Sequence, residues 1–205
     1  MLLAIAPLTA RATPLTIVAL GDSLTAGYGL PREDGLVPQL ETWLRAQGAD
    51  VTVLNAGVSG DTTAGGLART DWALVAKTDA VIVILGGNDL LRGLPPEAAR
   101  TNLNAILAKT AARRLPTLLV PVAATTNFGP EYKQAFDAIY ADVAKQHGAR
   151  LAQPFFSSIF ATTDRGTALK TFLQADGIHP NKAGVARVVE TLGPEVLELL
   201  KIPKN

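Results

Sequence analysis

A serine near the start of the chain and an aspartate–histidine pair near its end have the residue types that nucleophilic chemistry needs. Ser23 lies in the glycine-punctuated turn that follows an apolar run at residues 15–20. Such a hydroxyl either caps the next helix, which is the commoner role of serine, or acts as a nucleophile when a base lies nearby. Asp176 and His179, three residues apart, are the candidate base pair.

The spacing of Asp176 and His179 suits a carboxylate that fixes the tautomer of an imidazole. Gly177 permits a tight turn between them, and Pro180 keeps the backbone of His179 extended, so that its ring points away from the following helix. Taken singly, Asp176 is interpreted as a turn or capping residue and His179 as a half-buried histidine. His147, near a predicted helix C-terminus, is interpreted as structural because it interacts favourably with the helix dipole there.

Three groups are candidate donors to an oxyanion. They are the backbone N–H of Ser23, the backbone N–H of Gly57 and the side-chain amide of Asn88, which follow the first three predicted strands. Ordinary turn chemistry competes with this interpretation at Gly57 and Asn88. Asp22 and Asp89 flank these positions and are predicted to be buried organisers of the loops.

Strand-length apolar runs alternate with helical patterns along the chain. This alternation predicts an α/β fold with three layers, α/β/α, and right-handed crossovers around a parallel sheet. A flavodoxin-like order of five strands is expected, and it brings the carboxyl ends of the strands to one edge. The predicted strands begin near residues 15, 51, 80, 117 and 150, and the predicted helices cover about 37–47, 62–77, 95–114, 131–147 and 182–200.

Composition limits the classes of function. The 205 residues are 48% hydrophobic and 18% charged, which predicts a single globular domain over residues 13–205. A net charge of +1 gives no field that would attract nucleic acid or another polyanion. The chain has no cysteine and two histidines, which excludes disulfides, thiolate sites and a multi-histidine metal centre.

Residues 1–12 are interpreted as a signal-peptide remnant or a disordered leader. They combine an apolar run with the small-x-small pattern Ala10-Arg11-Ala12, although no basic residue precedes the run. A remnant predicts a periplasmic or secreted protein, whereas a leader would be compatible with the cytoplasm. No later run approaches the ~20 apolar residues of a membrane-spanning helix.

Four short blocks together resemble the SGNH (GDSL) hydrolases, in order and with similar spacing. The flanking residues resemble the thioesterase I/lysophospholipase/arylesterase branch of that family. A nucleophile elbow of the G-x-S-x-G type and a phosphate-binding loop are both absent at Ser23. The blocks are Gly21-Asp22-Ser23-Leu24, Asn55-Ala56-Gly57-Val58-Ser59-Gly60-Asp61, Gly86-Gly87-Asn88-Asp89 and Asp176-Gly177-Ile178-His179-Pro180-Asn181.

The resemblance implies a role for each matching residue. It implies Ser23 as nucleophile, His179 as base and Asp176 as the residue that orients the base. It also implies an oxyanion hole made by Ser23, Gly57 and Asn88, a covalent acyl-enzyme, and neither metal nor cofactor.

In relatives, the loop after Asn88 and the loop after the fourth strand border the acyl pocket. This chain departs from the family at residues 123–130, where relatives often carry a proline-rich segment. Six apolar residues are candidates for the wall of this acyl pocket, and for each of them the alternative is a place in the hydrophobic core. The candidates are Leu90, Leu91, Leu94, Phe128, Phe155 and Phe156.

The sequence therefore predicts a serine esterase that acts on small-molecule esters with short or medium acyl chains. Aryl esters, thioesters and lysophospholipids are candidate substrates. Two alternatives stay open, a carbohydrate acetylesterase and a non-catalytic ligand-binding relative. A low aromatic content of 5% disfavours a stacking platform for sugars.

Overall fold

A computed structural model describes residues 13–123, 127–161 and 164–201. The interpretation of residues 1–12 as a signal remnant or leader lies outside this part of the chain and stays a prediction. No helix among the described residues is both long enough and apolar enough to cross a membrane.

The centre of the molecule is a five-stranded parallel sheet with the order β2-β1-β3-β4-β5. This is the flavodoxin-like order that the sequence predicts, and the predicted α/β class is confirmed. The strands are β1 (Leu15–Gly21), β2 (Val51–Gly57), β3 (Thr78–Ile84), β4 (Thr117–Leu119) and β5 (Arg150–Leu151).

Helices cover both faces of the sheet. One face carries α1, α2, α7, α8 and α9, and the other carries α3, α5 and α6, with α4 at the edge between them. The helices are α1 (Ser23–Ala26), α2 (Leu36–Ala46), α3 (Thr63–Ala73), α4 (Gly87–Leu91), α5 (Pro96–Ala112), α6 (Pro130–His147), α7 (Ser157–Phe160), α8 (Arg165–Phe172) and α9 (Lys182–Leu200).

Alternate residues of β1 supply the two hydrophobic cores. Ile17 and Ala19 face the α2 and α9 side, whereas Val18 and Leu20 face the α5 and α6 side. Because helices bury both faces, these residues are at most 1% exposed. The continuous apolar runs of β1 and β3 follow from this double burial.

The first three strands end at the same level. Gly21, the last residue of β1, pairs in register with Gly57 of β2 and Ile84 of β3. The segments that follow therefore leave the sheet side by side, and they carry Ser23 and Asn88 to one edge.

Gly193 of α9 provides a test of the packing between α9 and α2. A Cβ at this buried position would lie 2.4 Å from Cε3 of the Trp43 indole on α2. We expect Gly193→Ala to lower the free energy of unfolding by about 1–3 kcal/mol, because overpacking outweighs the better helix propensity of alanine. Denaturant unfolding measures this change.

Gly166→Ala in α8 is the matched control, since a Cβ there meets only the side chain of Asp164, at 3.2 Å. Its stability is expected to stay within about 1 kcal/mol of wild type. A Gly193→Ala protein as stable as wild type would show that α9 and α2 do not pack as described.

Candidate active site

The serine, histidine and aspartate come together at the carboxyl edge of the sheet. Ser23 is the first residue of α1, and its Oγ lies 2.8 Å from Nε2 of His179. Nδ1 of the same ring lies 2.6 Å from Oδ2 of Asp176. With Nδ1–H donating to the carboxylate, Nε2 is free to accept the serine proton. His147 instead contacts Asn104 at 3.1 Å and joins α6 to α5.

Asp176 holds the base through both of its oxygens. Oδ2 contacts the imidazole, and Oδ1 accepts hydrogen bonds from the backbone N–H groups of Ile178, at 2.9 Å, and His179, at 3.0 Å. Burial alone would raise the pKa of Asp176, but these hydrogen bonds and the histidine lower it to about 2. The carboxylate is therefore ionised at neutral pH.

The loop that carries the base is tied to the segment after Ser23. Gln174 donates from its side-chain amide to the backbone oxygens of Tyr28, at 2.8 Å, and Pro180, at 3.0 Å. The ring of Tyr28 lies 4.7 Å from the ring of His179, centre to centre. Sequence reasoning missed Tyr28, since nothing in the local sequence marks a contact with a residue so distant along the chain.

Asp22 is buried beneath the candidate nucleophile. Its Oδ1 caps α1 by accepting from the Leu24 N–H at 3.0 Å, and its Oδ2 lies 3.4 Å from Nδ2 of Asn88. Burial raises the pKa of Asp22 to about 6, against hydrogen bonds and the nearby His179. The predicted loop-organising role of Asp22 is confirmed, because the side chain is 1% exposed and bridges two loops.

Asp22 is expected to make stability fall as the pH rises. Between about pH 4 and pH 6 the folded protein keeps a proton that the unfolded chain has lost, so the free energy of unfolding decreases through this window. The rise in the pKa of Asp22 from 3.8 to about 6 corresponds to a decrease of about 3 kcal/mol in the free energy of unfolding across this window. Asp22→Asn removes the titration and keeps a cap acceptor. Denaturant unfolding of both proteins from pH 4 to pH 7 measures the difference.

Asp176 acts in a different window, because its lowered pKa gives stability that is lost only as the pH falls from about 4 towards 2. Titrating groups that do not interact with Asp22 cancel in the difference between wild type and Asp22→Asn. If the difference in unfolding free energy stayed constant from pH 4 to pH 6, burial would not raise the pKa of Asp22.

The candidate oxyanion donors differ in how far they are engaged. The Gly57 N–H donates to Oδ1 of Asn55 at 2.9 Å, and a Cβ at Gly57 would lie 2.3 Å from the Ala26 nitrogen. Glycine is thus required at position 57 for the close approach of α1, and its N–H is not free for a substrate. Asn88 projects its amide beside this turn, where Nδ2 donates to the Asp61 backbone oxygen at 2.9 Å.

Gly60, three residues beyond Gly57, is another candidate for the backbone donor that the sequence predicts at Gly57. It lies in an exposed turn at φ +87°, and its N–H has no hydrogen-bond partner within the described ranges. Its carbonyl accepts from Nη2 of Arg92 at 2.8 Å. Sequence reasoning missed Gly60, although the same Asn-Ala-Gly-Val-Ser-Gly-Asp block contains it.

Asp89 fixes the helix that carries Asn88. It is 1% exposed and accepts from both the backbone N–H and the hydroxyl of Thr63, at 2.8 and 2.7 Å. Asn102 completes the network by donating to the Thr63 hydroxyl at 3.0 Å. The predicted loop-organising role of Asp89 is therefore confirmed.

The six candidate wall residues divide into three pairs. Phe155 is 3% exposed within the α9-side core, with Phe156 packed edge-on against it, so Phe155 offers no surface to a ligand. Leu91 and Phe128 are 58% and 51% exposed, and the Phe128 ring lies over Gly93. The remaining two, Leu90 and Leu94, are partly buried.

The chain is similar to known proteins over most of its length. Residues 19–187 match the model of the GDSL-like Lipase/Acylhydrolase family. The chain is 38% identical over 199 residues to Esterase TesA of Pseudomonas aeruginosa, covering 97% of this chain and 96% of that protein. It is 33% identical over 185 residues to an arylesterase of Vibrio mimicus, covering 90% of this chain and 89% of that protein.

A solved structure shares the same fold. The psychrotrophic esterase EstA from Pseudoalteromonas sp., inhibited by monoethylphosphonate, superimposes with a TM-score of 0.82 at 31% identity. The match covers 91% of this chain and 99% of that one.

Proposed function

The chain belongs to the GDSL-like lipase/acylhydrolase family, and from this premise we propose that it is a serine esterase with Ser23 as its nucleophile. The observation that carries the proposal is the continuous contact from Asp176 through His179 to the Ser23 hydroxyl, at 2.6 and 2.8 Å. The names of its relatives, an esterase and an arylesterase, support the hydrolysis of ester bonds.

The proposed reaction proceeds through an acyl-enzyme. Nε2 of His179 takes the Ser23 proton as Oγ attacks the ester carbonyl carbon, and Asp176 stabilises the imidazolium that forms. The tetrahedral intermediate collapses, the imidazolium gives its proton to the departing alcohol, and an acyl ester remains on Ser23. Water, deprotonated by the same ring, then releases the acid and restores the serine.

We propose that the oxyanion is bound by the Ser23 N–H, the Gly60 N–H and the Asn88 amide. Gly60 is exposed, and no group in the described part of the chain accepts from its N–H, which supports Gly60 in place of Gly57, whose N–H donates to Asn55. Asn88 donates to Asp22 over a long 3.4 Å contact, and this weaker partner is the one that an oxyanion displaces.

An exposed apolar rim supports acyl or aryl groups as the substrate portion next to the nucleophile. Large side chains on the loops and on α4 at the carboxyl edge are more than two-fifths exposed, which suits an open surface that accepts chains of different length. The rim comprises Tyr28, Val58, Leu91, Phe128 and Ile178.

A series of p-nitrophenyl esters from acetyl to palmitoyl tests the proposed function. The wild-type protein should hydrolyse short and medium members. An acyl-coenzyme A and a lysophosphatidylcholine, tested in parallel, show whether thioesters and lysophospholipids are also substrates. Turnover of acetyl esters alone would favour the carbohydrate acetylesterase, and a folded protein inactive on every member would favour the ligand-binding alternative.

Asn88→Ala is expected to lower kcat by about 10²- to 10³-fold with a smaller change in KM. The amide of Asn88 stabilises the oxyanion, which forms only in the transition state. Steady-state kinetics on p-nitrophenyl butyrate measure the two parameters. Asn104→Ala, which removes an amide from the His147 contact between α5 and α6, is the control and should retain kcat. Unchanged kcat in Asn88→Ala would remove Asn88 from this role.

A further inference from the structure

The guanidinium of Arg69, on α3, joins three chain segments at the carboxyl edge of the sheet. Its Nη2 donates to the Gly21 carbonyl at 2.7 Å, and its Nη1 donates to the Ala56 carbonyl at 2.7 Å. Its Nε donates to Oδ2 of Asp61 at 2.6 Å, and both side chains of this ion pair are less than a fifth exposed. One planar group thus links the ends of β1 and β2 to the turn that follows β2.

The partners of this guanidinium lead directly to the candidate active site. Gly21 stands two residues before Ser23, and its carbonyl also accepts from the Val58 N–H at 3.0 Å. Asp61, whose carboxylate pairs with the guanidinium, accepts from Nδ2 of Asn88 through its backbone oxygen. One side chain therefore contacts both the segment that leads to Ser23 and the turn whose backbone accepts from Asn88.

We propose that Arg69 is a positioning residue for ester hydrolysis, which fixes the distance between Ser23 and the Gly60 and Asn88 donors. The inference rests on the proposed function. Within the described part of the chain, Arg69 forms no hydrogen bond or ion pair with the triad side chains, so it acts through the segments that it holds.

The geometry explains why arginine is required. Arginine presents five N–H donors in a rigid plane, and here that plane serves two carbonyls and one carboxylate at once. A lysine in its place keeps the charge but offers a single ammonium that cannot span the three acceptors. A displacement of about 1 Å between nucleophile and donors is enough to lower a rate about 10²-fold.

Arg69→Lys is compared with Arg113→Lys as a matched control. Arg113 also donates to two carbonyls, those of Leu74 and Val75, but these precede β3 at the opposite edge of the sheet. Both variants should lose thermal stability. Only Arg69→Lys should lower kcat on p-nitrophenyl butyrate, by about 10- to 100-fold at nearly constant KM. Its inhibition by butylboronic acid, which forms a tetrahedral serine adduct, should weaken in parallel.

A double variant separates positioning from a general loss of structure. If Arg69 acts through the oxyanion donors, Arg69→Lys should cost less in an Asn88→Ala background than in wild type, because part of what it positions is already absent. Additive losses in kcat would contradict the proposal.

The remaining outcomes also decide the question. Arg69→Lys with the kcat of Arg113→Lys, or with a raised KM and unchanged kcat, overturns the positioning role while the proposed esterase stands. A wild-type protein that hydrolyses no ester overturns both. Should Arg69→Lys not fold, Asp61→Asn breaks the same ion pair with little change in volume, and a kcat equal to wild type would overturn the proposal.

Discussion

Ser23→Ala is expected to lower kcat on p-nitrophenyl esters by about 10⁴-fold or more and to leave the fold intact. The Ser23 hydroxyl contacts Nε2 of His179 and forms no other hydrogen bond with the described residues. Its removal therefore takes away the nucleophile without breaking another contact. Alanine is also compatible with the first turn of α1, where Asp22 supplies the cap. Steady-state kinetics and thermal unfolding measure the two effects.

Ser157→Ala, at the start of α7, is the matched control for this change, and it should keep both activity and stability. If Ser23→Ala retained activity within tenfold of wild type, the nucleophile would have to be another group. The assignment of Asp176 and His179 as its base pair would then fail as well.

Asp176→Asn is expected to lower kcat by about 10³- to 10⁴-fold. The carboxylate uses Oδ1 for the backbone N–H groups of Ile178 and His179 and Oδ2 for the imidazole N–H. An asparagine has one acceptor oxygen, so it either turns its NH₂ towards the backbone donors or presents it to the ring and favours the wrong tautomer. In both orientations the base is no longer held for proton transfer, and kcat measures the loss.

Asp164→Asn is the control for the loss of a carboxylate. Asp164 caps α8 through the Thr167 N–H at 3.0 Å, a role that asparagine performs equally well. Its kcat should equal that of wild type. An Asp176→Asn protein with full activity would mean that the histidine is oriented without the carboxylate.

The large elements of the fold could be predicted from the sequence because double burial leaves a simple signal. β1 and β3 are continuous apolar runs, and the predicted last helix matches α9 from Lys182 to Leu200. The short helices α4, α7 and α8 were not predicted. Each is at most eight residues long, and such helices depend on packing against the rest of the molecule more than on local propensity.

The candidate site was predictable where function depends on side-chain chemistry. Ser23, Asp176 and His179 stand out by residue type and by their position at strand and helix ends. The proposed choice of Gly60 over Gly57 was not predictable, because it rests on the Asn55 side chain accepting from the Gly57 N–H. Two of the three Arg69 partners are backbone carbonyls, which leave no mark in a sequence.

Intact-protein and peptide mass spectrometry after treatment with a p-nitrophenyl alkylphosphonate tests the nucleophile most directly. The account predicts one phosphonyl group per chain, located on the peptide that contains Ser23, absent from Ser23→Ala and formed far more slowly in His179→Ala. An active wild-type enzyme that is labelled at another residue, or a Ser23→Ala protein that is labelled as fast as wild type, would contradict it.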